Sequence, residues 1–409
     1  MNGRAGRLAG RIKNAFMPRR HDNGPMPSVA KQPDPTRVPV LDLLRLAAVG
    51  AVILYHYGFW GPASHGLQEV AMPYLAPIAQ YGFLGVPVFF AISGFVIAYS
   101  AEGRTPVGFA IARFSRIYPT FVICMTLTFL ATLLAGHAWF QVTWGKWLAN
   151  LFIAAPMLGQ PYMDDAYWSL VIEVVFYAWV ALLLAWGIFP RRIDTIIVAW
   201  IAVTFANELT LDIPLFEKLF MADDSGFFAV GLLIYEHYRG RRDSRLYSLL
   251  TLAMGTATFQ AVHKLERLGV HTRGSFDPRV VTVICIVSLG IVFAATRVKS
   301  VPLPGGLVRA IGGITYPLYL LHLQLGYVIL LLITPTPNAL STTFVVACMV
   351  LLAWFVWRFL ERPAHDRVRD RLTMLASRYG WPSRVRAGEA RIDQGNIATP
   401  VEAGRIANR

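Results

Sequence analysis

The chain has 409 residues, of which 55% are hydrophobic and 15% charged, and its mean hydropathy is +0.48. Soluble domains carry about 25% charged residues, so the composition excludes an ordinary soluble protein and points to a polytopic membrane protein. The net charge of +14 would suit a nucleic-acid binder, but the basic excess lies in the tails and short loops between apolar runs. That is the positive-inside pattern, with attraction to anionic lipids, and no nucleic-acid partner is expected.

Residues 1–38 carry Arg4, Arg7, Arg11, Lys13, Arg19, Arg20, Lys31 and Arg37 against Asp22 and Asp34, with no apolar signal-peptide core. They read as a disordered basic cytoplasmic tail. Apolar runs follow at about 39–59, 82–100, 114–135, 167–189, 193–209, 226–239, 245–262, 280–296, 311–332 and 339–360. The run 147–158 is too short to cross. Basic loops at Arg104, at Arg191–Arg192, at 239–245 and at Arg297–Lys299 mark the inside; 61–81 lacks Lys and Arg, and 210–225 is acidic. These signs agree on an all-α polytopic membrane protein of about ten transmembrane helices plus a short re-entrant or interfacial segment, with both termini cytoplasmic. The expected domains are the tail 1–38, a transmembrane domain 39–363 and a cytoplasmic C-terminal tail 364–409. Cys124, Cys285 and Cys348 lie in apolar runs without metal-like spacing, so they read as buried small hydrophobes and no metal is expected.

Ionisable residues inside apolar runs are costly and mark functional sites by default. Arg45 and His56 stand eleven residues apart in the first run. That is about three helical turns, so both fall on one face, about 16 Å apart along the axis. Arg113 and Arg116 share a face at the inner start of the third run. They suit either a phosphate clamp or ordinary positive-inside flanking. Glu173 lies about 9 Å in from Tyr167, and His56 about 6 Å in from Trp60, so a carboxylate and an imidazole sit at comparable depth. Tyr316, Tyr319 and His322 form an i, i+3, i+6 stripe, open to packing or chemistry, and Glu361 beside Arg362 reads as an ion pair at the end of the last helix.

The segment Leu41-Asp42-Leu43-Leu44-Arg45…His56 resembles the first-helix signature of the acyltransferase-3 family, integral-membrane O-acyltransferases of the bacterial polysaccharide and O-antigen acetylase type. Gly85–Phe95, Arg113-Phe114-Ser115-Arg116-Ile117-Tyr118-Pro119, Trp168-Ser169-Leu170…Glu173…Phe176-Tyr177, Thr315-Tyr316…Tyr319…His322 and Glu361-Arg362-Pro363 continue the match, in order, over about 40–365. Departures are the long basic N-terminal tail and the lack of the extracellular esterase-like domain found in some relatives. The resemblance implies transfer of an acyl group, usually acetyl, from cytoplasmic acyl-coenzyme A to a hydroxyl of a lipid-linked or exported glycan or another acceptor, at the inner membrane. It implies His56, Glu173 and Arg45 as catalytic residues, with His56 as base and Glu173 orienting its ring. Arg113, Arg116 and Tyr118 would bind the donor, and Ser93, Trp168, Ser169, Tyr316, Tyr319 and His322 are further polar candidates. The competing reading is a secondary transporter with Arg45, His56 and Glu173 as a polar relay, against which stands the lack of visible related halves.

Overall fold

In a computed structural model, the described residues are 38–61, 73–136, 138–298 and 300–381. The tail expected at 1–38 lies outside them except for Val38, as do residues 382–409 of the C-terminal tail. The described residues form one compact unit. Among the described residues every regular element is a helix.

The principal helices are α1 (Pro39–Tyr55), α2 (Gly85–Ala101), α3 (Pro106–Ala131), α4 (Trp168–Ala185), α5 (Ile193–Ala206), α6 (Ser225–Tyr238), α7 (Ser244–Thr272), α8 (Pro278–Ala295), α9 (Gly305–Leu321), α10 (Gln324–Ile333), α11 (Ala339–Phe355) and α12 (Arg362–Arg378). Proline at the first turn opens α1, α3 and α8, where its missing N–H is no loss and its fixed φ suits the helix. The segment 147–158 divides between a seven-residue helix, Trp144–Asn150, and a 3₁₀ turn at Ala155–Leu158. Neither is long enough to cross a bilayer core of about 30 Å.

Among the described residues, seven helical stretches are long and apolar enough to span a membrane, and the bent pair α9–α10 makes an eighth if it counts as one span. The ten expected spans include 226–239 and 245–262, which fall on α6 and α7. Neither meets the same measure: α6 has 14 residues, about 21 Å of helix, and α7 carries Ser248, Thr251, Thr256, Thr258, Gln260 and His263 ahead of the charged Lys264, Glu266 and Arg267. The expected C-terminal tail begins as the helix α12, which packs along α3.

Two apolar cores form. One gathers α2, α6, α7, α8 and parts of α4 and α5; the other gathers α1, α3, α9, α10 and α11. Tyr177 and Tyr319 pack against both, so their helices line the seam. The tightest approach is α2 against α6. A Cβ on Gly94 would stand 2.3 Å from the Phe228 carbonyl oxygen, and one on Gly231 would stand 2.0 Å from that of Ala91. Small residues let membrane helices meet backbone to backbone, since lipid supplies no hydrophobic drive between them. Gly94→Ala and Gly231→Ala are therefore expected to destabilise the protein by about 1–3 kcal/mol each. Gly255→Ala, at a position with open space around it, is neutral or stabilising. Thermal denaturation in detergent checks this, and equal melting temperatures for the three variants would contradict the packing argument.

Candidate active site

A cavity with about 930 Å³ of empty space, part of it open to the outside, lies at the seam between the two cores. Arg45 of α1, Ser93 of α2, Arg113 and Arg116 of α3, Ser169, Glu173 and Tyr177 of α4, and Tyr316 and Tyr319 of α9 give it polar lining; Phe89, Phe90, Leu170 and Leu320 are among its apolar walls. Three arginines thus face one carboxylate. Each arginine is held differently. Arg45 Nη1 lies 3.6 Å from Asp42, one turn back on α1. Arg116 pairs with the buried Glu361. The Arg113 guanidinium stands 6.0 Å above the Tyr177 ring, and its Nε is buried with no hydrogen-bond partner among the described residues. A guanidinium with a buried, unmet donor has the chemistry to bind an anion.

Glu173 Oε1 accepts from Ser93 Oγ at 2.9 Å and from the Tyr177 hydroxyl. Ser169 and Tyr319 hydroxyls lie 2.6 Å apart and share the Ala166 carbonyl, at 3.1 and 3.0 Å. The Tyr316 hydroxyl donates to the Ile117 carbonyl at 3.3 Å.

The second polar centre lies beyond the cavity lining. At His56, α1 widens into a π turn, His56–Trp60, a local form frequent at functional sites. There His56 Nδ1 stands 3.0 Å from His322 Nε2, and His322 Nδ1 stands 2.7 Å from the Tyr319 carbonyl oxygen. His322 is buried and His56 half-buried. The backbones of the two histidines are clasped reciprocally: Tyr57 donates to the His322 carbonyl at 2.5 Å, and Tyr327 to the His56 carbonyl at 2.6 Å.

This clasp exists because the α9–α10 span breaks at His322–Leu323, where the chain turns by 71°. The first N–H groups of a helix have no partner within it. Asp164, from the loop before α4, supplies one: its Oδ2 accepts from Gln324 N at 2.8 Å, while Oδ1 accepts from Ala166 N at 2.9 Å. Burial raises the Asp164 carboxyl to about 7, against the pull of those two N–H bonds.

The sequence model of the acyltransferase-3 family, described as an acyltransferase domain, matches residues 38–358. The chain belongs to the acyltransferase-3 family. It is also similar to acyltransferase MdmB of Streptomyces mycarofaciens, at 33% identity over 156 residues, which is 36% of this chain and 38% of that protein. No solved structure matches.

Of the residues that the family signature singles out, the cavity gathers Arg45, Ser93, Arg113, Arg116, Ser169, Glu173, Tyr316 and Tyr319. His56 and His322 meet each other beside it. Two stand apart. Tyr118 stacks on Phe114 and donates to the Leu151 carbonyl at 3.1 Å; Trp168 is exposed and meets Phe90 edge to face. Two expected pairings are corrected. The ring that meets His56 Nδ1 is His322, while the Glu173 carboxylate holds Ser93 and Tyr177 within the cavity; depth along separate helices could not reveal the break that swings His322 into place. Glu361 pairs with Arg116 of α3, whereas the neighbouring Arg362 lies over the Trp357 ring at 4.5 Å. Asp164, Tyr57 and Tyr327 carried no signal beyond being polar groups near or within apolar runs.

Tyr57→Phe and Tyr327→Phe each remove one donor from a carbonyl at the histidine pair. Each is expected to cost about 0.5–1.5 kcal/mol, and the double variant less than the sum because both act on one clasp. Detergent melting curves of the three variants check this, with strict additivity as the contrary result.

Proposed function

We propose that this chain is a membrane O-acyltransferase that moves an acyl group, acetyl before longer chains, from cytoplasmic acyl-coenzyme A to a hydroxyl of a glycan or another acceptor. The protein sits in the inner membrane with both termini cytoplasmic, an orientation supported by the basic loops at Arg191–Arg192 and at 239–245. The observation that carries the reading is one helix with two chemistries. Arg45 lies in the first half of α1 within an arginine-lined cavity, and His56 follows the end of that helix about 16 Å away.

A donor with phosphates at one end and a thioester at the far end of an extended arm fits that separation. Arg113, with its unmet Nε, and Arg116 beside it take the phosphates. Charge-assisted bonds from a guanidinium fork are short and directional, and they strengthen where water is excluded. His56 accepts the proton of the acceptor hydroxyl as its oxygen attacks the thioester carbonyl. The carbon–sulfur bond then breaks, and the proton passes to the departing thiolate, so the imidazole returns to its starting form. Imidazole suits this exchange because its basicity lies near neutrality. Glu173 acts within the cavity: it fixes Ser93 and Tyr177 and offsets part of the arginine charge. Basic segments flanking the spans attract anionic lipid.

The experiment uses purified protein in detergent, where no gradient exists, with acetyl-coenzyme A and a membrane-glycan extract, and follows thiol release and acetyl transfer. His56→Ala is expected to lower transfer by about 10²–10⁴-fold with coenzyme A affinity near the parent's. Arg113→Ala is expected to weaken coenzyme A binding by 10-fold or more, about 1.4 kcal/mol, and Arg113→Lys to recover only part of it. Full transfer by well-folded His56→Ala would overturn the base role of His56, and absence of transfer by the parent protein would overturn the reading. Unchanged coenzyme A binding by Arg113→Ala and Arg116→Ala would overturn the donor site.

A further inference from the structure

We infer that His322 is the positioning residue that fixes the His56 ring in the tautomer needed for base catalysis. A backbone carbonyl oxygen can only accept, so His322 Nδ1, 2.7 Å from the Tyr319 carbonyl, carries a proton. His322 is 1% exposed, and an imidazolium there would lose its hydration, so the neutral ring is the stable form. In a neutral ring with Nδ1 protonated, Nε2 is an acceptor. The group facing it at 3.0 Å is His56 Nδ1, which must therefore donate. That assigns the second proton, and His56 Nε2 bears the lone pair.

Every joint in this relay is tied down. Tyr57 and Tyr327 hold the two histidine backbones, and Asp164 holds the start of α10 just after the break. Gly326 is the position that lets Tyr57 reach: a Cβ there would stand 1.8 Å from its hydroxyl oxygen. The relay also meets the cavity, because Tyr319, whose carbonyl starts it, is one of the cavity's lining residues.

This inference rests on the acyl-transfer reading. In that reaction the acceptor O–H bond breaks, its proton goes to His56 Nε2, the hydroxyl oxygen bonds to the thioester carbon, and the thiolate leaves and takes the proton. While His56 is protonated, its Nδ1–H still donates to His322 Nε2, so the neighbouring ring stabilises the imidazolium. A neutral imidazole here performs the ring-orienting task that a carboxylate performs in a serine–histidine–aspartate triad.

The test compares His322→Ala, His322→Gln and His322→Lys in the full-length protein in detergent, with acetyl-coenzyme A as donor. A Gln side-chain oxygen can accept from His56 Nδ1, whereas a Lys ammonium can only donate. His322→Ala is expected to lower kcat by about 10²-fold or more, with KM for acetyl-coenzyme A near the parent's. His322→Gln recovers at least 10-fold of that loss, and His322→Lys stays at or below the Ala value. Melting curves and monodispersity identify correctly folded variants, and the Gln-to-Lys comparison remains decisive if Ala does not fold. Parent-like kcat in His322→Ala, or equal kcat in well-folded His322→Gln and His322→Lys, overturns the inference. Absence of thiol release and acetyl transfer by the parent protein would instead sink the acyl-transfer reading itself, so the two failures are distinguishable.

Discussion

The break between α9 and α10 is the constraint from which the rest of this site follows. A straight span would carry His322 along its helix face and bury its backbone carbonyl in an unbroken ladder. The turn of 71° frees that carbonyl for Tyr57 and brings the ring against His56. Non-helical backbone inside a bilayer survives only where protein groups satisfy it. Here they come from three distant places: Tyr57 on the π turn after α1, Tyr327 on α10 and Asp164 before α4. The π turn at His56 is the matching irregularity on the other side, since its carbonyl is open to Tyr327. Two irregular helices thus complete each other.

Charge is the second organising term. Three arginines around one cavity would repel in a medium of low polarity, and each is answered in a different currency: Asp42 for Arg45, Glu361 for Arg116 and the Tyr177 ring face for Arg113. Buried pairs such as Arg116–Glu361 are poor evidence of stability, because desolvation offsets much of the attraction. Their value lies in geometry. Glu361, at the entry to α12, fixes the arginine that the third helix sends into the cavity, and α12 packs along that same helix. Arg113 Nε is the buried arginine donor left without a partner among the described residues.

Close packing lets these polar groups converge. Gly94 and Gly231 bring α2 and α6 into backbone contact. Ser93 precedes Gly94 on α2 and faces Glu173 of α4, so the helix that packs most tightly on one side presents its hydroxyl to the cavity on the other. The seam between the two apolar cores, bordered by Tyr177 and Tyr319, is where lining residues from five helices meet.

Much of this was legible in the sequence because it is local. Apolar runs of helical length, basic loops and the spacing of Arg45 and His56 state a polytopic helical protein with polar residues on a lipid-excluded face. The ordered signature blocks state its family. Those features depend on composition and a period of 3.6 residues, which a chain carries without its fold. The number of spans was less legible: α6 is short and buried nearly all round, and α7 is rich in Ser, Thr and charged residues, so apolarity alone does not rank them with the others. The partners were not legible at all. Whether Glu173 serves His56 or Ser93, and whether Glu361 answers Arg362 or Arg116, depends on how separate helices are rotated and where one of them breaks. His322 meets His56 across 266 positions of chain, and no periodicity within either helix encodes that contact. It arises only when a buried carboxylate, two tyrosine hydroxyls and a broken span satisfy one another in three dimensions.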